Sequence, residues 1–75
     1  MEANETLDAK GLNCPLPILK AKKALKAMES GQILEIIATD PGSVADFSAF
    51  CRTTGNEEMA SSEADGIYTF YIKKT

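Results

Sequence analysis

The stretch GLNCPLPILK, residues 11–20, places one of the chain's two cysteines between a polar turn and an apolar, lysine-rich segment. The segment after Cys14 has helical periodicity, and a proline such as Pro15 is favoured at the first helical position, so Cys14 is predicted to be the N-cap. Unpaired N–H groups and a partial positive charge at a helix N-terminus favour a thiolate and lower the cysteine pKa from its free value of about 8.5. The pattern therefore predicts a nucleophilic thiol.

The two prolines restrict which backbone group can bind the sulfur. Pro15 and Pro17 have no N–H, which leaves Leu16 as the one donor among the first three helical positions. We expect the Leu16 N–H to donate to the Cys14 sulfur, and Lys10 to add a second positive charge nearby. Serine, asparagine or aspartate would be better caps, so cysteine here favours a nucleophile over the alternative of a small buried apolar residue.

Composition excludes several other kinds of chemistry. The sequence has no histidine, which rules out a Cys/His dyad, a Ser/His triad and a histidine metal site within this chain, and two cysteines make a poor zinc site, so no metal is expected. The net charge of −3 provides no global basic field for nucleic acid. No apolar run approaches the roughly 20 residues of a spanning helix, and MEANETLD has no signal-peptide features. We therefore expect no membrane association, a cytoplasmic location and reduced thiols.

Periodicity and turn residues predict the order βαβαββ in a single domain of residues 1–75, after a loose tail at residues 1–4. The predicted elements cover residues 5–9, 15–28, 33–39, 43–54, 56–63 and 67–73. Gly31 and Gly55 follow the two helices, and Ser43 is expected to cap the second one with Asp46 in a capping-box arrangement. The order predicts an α+β two-layer sandwich, with a four-stranded mixed sheet and both helices on one face.

The apolar positions predict the two faces of that sheet. The candidate core residues are Leu7, Ile18, Leu25, Leu34, Ile36, Phe47, Phe50, Phe70 and Ile72. The opposite, open face is expected to show Ile33, Ile37 and Tyr71, either as ordinary surface or as a contact for a partner.

Two further residues are candidates for roles at the thiol. Cys51 lies at helical spacing from Phe47, which favours a core thiol over a resolving partner for Cys14. Asp40 follows the second strand, and both strand-to-helix turns of a parallel pair lie at the same end of the sheet, so Asp40 is expected near Cys14. It either forms the turn or acts on the sulfur electrostatically.

The first helix carries half of the chain's eight basic residues. These are Lys20, Lys22, Lys23 and Lys26. They form either a solvated face or a docking face for an acidic protein, with Leu12 and Leu16 as its apolar rim. RNA binding is less well supported because no aromatic residues are interleaved with the lysines.

The segments LDAKGLNCPLPILKAKKAL and ATDPGSVADFSAFCRTTGN together resemble the TusA/SirA-like family of sulfur carrier proteins over residues 7–73. The family's Cys-Pro-x-Pro signature is matched by Cys14, Pro15 and Pro17. The resemblance implies a βαβαββ two-layer fold and a persulfide carried on Cys14, with no other cofactor. It implies a monomer that accepts sulfur from a cysteine desulfurase or rhodanese-like donor and passes it to another relay protein. Such a carrier acts stoichiometrically, so its status as an enzyme is a matter of classification as a sulfurtransferase.

Two alternative functions remain open from the sequence. A regulatory or RNA- or protein-binding module would keep its function in Cys14→Ser, and its RNA binding would weaken steeply with salt. A thiol redox sensor would form a Cys14–Cys51 disulfide, or a stable sulfenate on Cys14, under mild oxidant.

Overall fold

The computed structural model describes residues 2–75 and has the predicted order of elements. The elements are β1 (Glu5–Ala9), α1 (Leu16–Lys26), β2 (Ile33–Ala38), α2 (Ser43–Thr54), β3 (Glu57–Ala64) and β4 (Ile67–Lys73). The predicted loose tail is wrong at Asn4, because its backbone N–H and side-chain oxygen each form a 2.8 Å hydrogen bond with the Ile33 backbone. Met1 lies outside the described residues.

The four strands form one mixed sheet in the order β1-β2-β4-β3. β1 and β2 are parallel neighbours, whereas β4 is antiparallel to both β2 and β3. Ala9 pairs with Ala38, so the two parallel strands end together. The turns that lead into α1 and α2 therefore lie at the same edge of the sheet, as the sequence predicted.

The core lies between the sheet and the two helices. Alternation along β2 buries Leu34, Ile36 and Ala38, and the ring of Phe47 from α2 lies 4.8 Å from that of Phe70, centroid to centroid. Six of the nine predicted core residues are buried: Leu25, Leu34, Ile36, Phe47, Phe70 and Ile72. The prediction is wrong for three, Leu7, Ile18 and Phe50, which pack against the core only partly buried. Leu7 is on an edge strand, and the other two border a cleft.

The apolar and aromatic side chains on the sheet face opposite the helices are partly buried. Ile33, Ile37 and Tyr71 are all partly buried there, as predicted for this face. The Tyr71 hydroxyl donates to Glu35 Oε2 at 2.7 Å, and the Thr6 hydroxyl donates to Glu35 Oε1 at 3.1 Å. The hydrogen bond to Glu35 raises the pKa of Tyr71. This network crosses β1, β2 and β4 and makes the face more polar than its isoleucines suggest.

The two helices differ in how closely their observed ends match the predicted ends. α2 covers the predicted residues Ser43–Thr54, although Ser43 is its first residue and not its cap, and Gly55 stops it in the left-handed conformation at φ 81°. α1 is shorter than predicted at both ends, since Pro15 is its N-cap and Ala27 its C-cap. The Lys74 ammonium donates to the carbonyls of Lys26 and Met28, which satisfies acceptors left free where α1 ends. Neither helix in residues 2–75 has the length and apolar character needed to cross a membrane.

Candidate functional site

Cys14 is an exposed free thiol in the loop between β1 and α1, one residue before the N-cap. The predicted N-cap position is therefore wrong, and so is the predicted donor to its sulfur. The Leu16 N–H donates instead to the Asn13 carbonyl at 2.8 Å. Residues 13–16 form a tight turn before the helix. The Leu16 N–H, which was expected to donate to the sulfur, closes this turn instead.

Asp40 holds the backbone of Cys14 in place. The Cys14 N–H donates to Asp40 Oδ2 at 2.8 Å, and the Gly42 N–H donates to Oδ1 of the same carboxylate at 3.1 Å. The prediction that Asp40 lies near Cys14 is confirmed. Its carboxylate ties the loop before α1 to the turn before α2, which is possible because β1 and β2 end at the same edge.

Asp46, in the first turn of α2, is a site residue that sequence reasoning missed. Its expected partner was Ser43 in a capping box, but the N-cap is Gly42 and no side chain caps α2. Ser43 is instead buried inside the first turn, and its Oγ has no partner within the described chain. Asp46 and Cys14 line the same cleft. Two features of the sequence could have indicated that Asp46 lies near Cys14. Both helices were predicted to begin at the same edge of the sheet, and Asp46 lies in the first turn of the second one.

The electrostatics at Cys14 have the opposite sign to the sequence prediction. The pKa of the thiol is raised, first by the hydrogen bond to Asp46, then by desolvation and by the negative charges of Asp46 and Asp40. The expected lowering of the pKa is wrong because Asp46, desolvation and Asp40 all favour the protonated thiol. Lys10 does not offset them, because its ammonium lies 3.8 Å from Asp8 Oδ2 in an ion pair of its own.

A cleft of about 430 Å³ opens beside Cys14 between α1 and α2. Its walls are mainly apolar, with Ile18 and Leu19 from α1 and Phe50 from α2, and Lys22 adds a cation. Leu19 is 54% exposed and was not among the predicted contact residues. The cleft therefore joins the thiol, one carboxylate and one ammonium to an apolar surface.

Most of the residues predicted to form a docking face do not line this cleft. Leu16 is exposed near Cys14, whereas Leu12 packs against the core. Lys20, Lys23 and Lys26 are exposed on α1 but do not line the cleft. The structure thus brings Lys22 toward Cys14 and leaves the other three lysines along the helix surface.

The second cysteine is a core residue. Cys51 is a buried free thiol in the hydrophobic cluster, as predicted. Burial, followed by the charge of Glu58, raises its pKa to about 11. A thiol in this environment is poorly suited to resolve a modified Cys14. Within residues 2–75, no three histidine, cysteine, aspartate or glutamate side chains are grouped so as to hold a metal ion.

The fold and the exposed cysteine of the Cys-Pro-x-Pro stretch can be compared with those of known proteins. The family model described as sulfurtransferase TusA matches residues 5–74. The chain belongs to the TusA family. The fold and the resemblance predicted from the sequence are therefore confirmed.

Individual members of the TusA family give the same result. The chain is 64% identical over 72 residues to sulfur carrier protein TusA of Allochromatium vinosum, covering 96% of this chain and 95% of that protein. It is 41% identical over 69 residues to sulfur carrier protein TusA of Pseudomonas entomophila, covering 92% and 86%. A crystal structure of a SirA-like protein from Desulfitobacterium hafniense has a TM-score of 0.81 at 28% identity, covering 92% and 95%. Membership of this TusA family supports a role as a sulfur carrier.

Proposed function

We propose that this protein carries sulfur as a persulfide on Cys14, accepting it from a cysteine desulfurase or rhodanese-like donor and passing it to another sulfur-relay protein. One observation carries the proposal: Cys14 is an exposed free thiol in the Cys-Pro-x-Pro stretch of a TusA family member. The other cysteine is buried, which leaves Cys14 as the thiol that a partner protein can reach.

The transfer is a thiol–persulfide exchange that balances without an external oxidant. The Cys14 sulfur attacks the outer sulfur of the donor's persulfide, forms a new S–S bond and breaks the donor's S–S bond. The Cys14 proton ends on the donor's leaving thiolate, so the donor is reduced to a thiol as Cys14 reaches the disulfide oxidation level. In the second step an acceptor thiolate attacks the outer sulfur, and Cys14 leaves as the thiolate.

The cleft beside Cys14 gives the partner a place to dock. A protein that brings its thiol to Cys14 through this cleft lies against the surface formed by Ile18, Leu19 and Phe50. Lys22 lines the same cleft, and Leu16 is exposed at the start of α1. We propose that partners present an apolar side chain and an acidic side chain to this surface. Exposed pairs of this kind act mainly on association and orientation.

We propose that the relay works in the cytoplasm, where thiols remain reduced. The resemblance extends to three destinations for the sulfur: tRNA thiolation, molybdenum-cofactor supply and oxidative sulfur metabolism. The acceptor protein selects among them. The carrier is consumed and regenerated once per sulfur, and no metal or other cofactor takes part in the exchange.

Intact-mass measurement tests the proposal. The reduced protein is incubated with a cysteine desulfurase and cysteine, and in parallel with polysulfide, alongside Cys14→Ser and Cys51→Ala. We expect one added sulfur that a reductant removes, present in the parent protein and in Cys51→Ala and absent from Cys14→Ser. A protein that gains no sulfur from any donor, or gains it equally in Cys14→Ser, is not a Cys14 persulfide carrier.

A further inference from the structure

Negatively charged groups outnumber positively charged groups around Cys14. Asp46 lines the cleft beside the thiol from α2, and the Asp40 carboxylate, in the turn before α2, accepts a hydrogen bond from the Cys14 N–H. From α1, Lys22 is the charged residue of the described chain that lines the same cleft. Two carboxylates thus act directly on Cys14, against one ammonium across the cleft.

We propose that Asp46 biases the equilibrium at Cys14 toward release of sulfur, because its carboxylate lines the same cleft and repels the anionic persulfide of the loaded carrier more than the neutral thiol of the empty carrier. This inference rests on the proposed function, since it concerns the loaded state of Cys14. It assigns a role in sulfur delivery to a residue that is not part of the Cys-Pro-x-Pro stretch.

The empty and loaded carriers differ in charge at Cys14. A thiol with a raised pKa is protonated, and therefore neutral, near neutral pH. A persulfide is more acidic than the corresponding thiol, so the loaded carrier is anionic at the same pH. Loading therefore places a negative charge in the cleft that Asp46 also lines. A group that interacted equally with both states would leave the equilibrium unchanged.

Asp40 cannot be used to test this effect cleanly. It accepts hydrogen bonds from the N–H groups of Cys14 and Gly42, so its substitution would move the backbone as well as remove a charge. Among the described residues Asp46 has no such backbone bonds from the Cys14 loop, and its side chain on α2 is only partly buried. Asp46→Asn removes the charge and preserves the size of the side chain, which makes it the informative substitution.

The experiment measures the loading equilibrium against a small-molecule pair. The protein is mixed with glutathione and glutathione persulfide near neutral pH, and the loaded and empty forms are quantified by intact mass. The reaction is protein–SH plus glutathione persulfide giving protein–S–S⁻ plus glutathione thiol, with one S–S bond broken and one formed. We expect Asp46→Asn to raise the ratio of loaded to empty protein by about two- to fivefold, the range for one exposed charge pair.

Three controls separate charge from shape and folding. Glu57→Gln removes the same charge from an exposed position at the start of β3 and is expected to leave the ratio unchanged. Asp46→Glu retains the charge and is expected to keep the ratio close to that of the parent. Asp46→Gln repeats the neutralisation with a longer side chain and is expected to raise the ratio as Asp46→Asn does. Urea unfolding verifies that each variant is folded before it is loaded.

Failure of the inference is distinguishable from failure of the proposed function. If the parent protein does not load at Cys14, the carrier function itself is rejected. If the parent loads and both neutral variants give the parental ratio, Asp46 does not bias release. A ratio that rises equally in Asp46→Glu overturns the inference as well, because it assigns the effect to side-chain shape rather than charge.

Discussion

At the scale of single residues, the two cysteines have opposite surroundings. Cys14 is exposed beside two carboxylates, whereas Cys51 is 7% exposed in the core. The pKa of each thiol is raised, at Cys14 first by the hydrogen bond to Asp46 and at Cys51 first by burial. Both thiols are therefore protonated near neutral pH, but only the exposed one meets a partner's sulfur.

Alkylation by iodoacetamide distinguishes these environments. Because alkylation requires the thiolate, we expect the rate at Cys14 to rise with pH through a midpoint above the ordinary pKa of a free cysteine. Cys51 should remain unmodified in the folded protein and react after unfolding in urea. The rates at each cysteine are measured by peptide mass spectrometry, with Cys14→Ser as the control. A Cys14 midpoint well below the ordinary cysteine pKa would show that the helix end outweighs the carboxylates.

At the scale of secondary-structure elements, Asp40 connects the two segments that lead into the helices. Its carboxylate accepts a hydrogen bond from the N–H of Cys14, in the loop after β1, and another from the N–H of Gly42, in the turn after the parallel strand β2. The position of the thiol therefore depends on the turn after β2 as much as on its own loop.

Asp40→Ala tests this connection. Loss of the carboxylate leaves two N–H groups to be hydrated, and we expect the free energy of unfolding to fall by about 1 kcal/mol, because water replaces part of each bond. Loading of Cys14 should slow as its loop loses its fixed position. Asp40→Asn retains one side-chain oxygen and should lose less stability. Urea unfolding and loading kinetics are the measurements, and unchanged values for both in Asp40→Ala would contradict the role.

Two glycines at opposite ends of α2 provide a matched pair. Gly55 ends the helix at φ 81°, whereas Gly42 precedes it at an ordinary φ of −64°. A Cβ at Gly55 meets no atom within 4 Å, and a Cβ at Gly42 lies 3.5 Å from Asp40 Oδ1, which is ordinary contact. We expect Gly55→Ala to cost about 1 kcal/mol of unfolding free energy through backbone strain, and Gly42→Ala clearly less. Equal losses in urea unfolding would contradict this account.

At the scale of the whole molecule, charge is distributed unevenly. The net charge is −3, yet four of the eight basic residues lie on α1. Of these four, Lys22 lines the cleft beside Cys14, while Lys23 is exposed elsewhere on the helix. A local basic surface on an acidic protein favours approach of an acidic partner from the side that carries the thiol.

Lys22→Ala and Lys23→Ala test whether this surface guides docking. We expect Lys22→Ala to reduce the rate of sulfur loading from a cysteine desulfurase by about two- to fivefold, and Lys23→Ala to reduce it less. Unfolding free energies should change by no more than about 0.5 kcal/mol in either variant, since both side chains are exposed. The difference should shrink as salt screens the charges. Equal rates for both variants at low salt would argue against a role for Lys22 in docking.

The sequence by itself determined the order of the six elements and the identity of the exposed thiol. Alternation along β2 and β4, the apolar stripe of α1 and the glycine after α2 are local signals, and each depends on residues a few positions apart. The Cys-Pro-x-Pro stretch is local as well, so the resemblance to the TusA family was visible before the fold was known. Even the position of Asp40 near Cys14 followed from a rule about parallel strands.

Only the tertiary structure decided the environment of that thiol. The approach of Asp46 to Cys14 depends on how α2 lies beside the loop before α1. The hydrogen bond from Leu16 to the Asn13 carbonyl and the ion pair of Lys10 with Asp8 join residues close in sequence, but the geometry of the folded loop decides that they form. Electrostatic interactions change sign and size over distances of a few ångströms, so the lowered pKa predicted from the helix end could be corrected only once the positions of the carboxylates were known. The cleft between α1 and α2 likewise exists only once both helices have packed on the sheet.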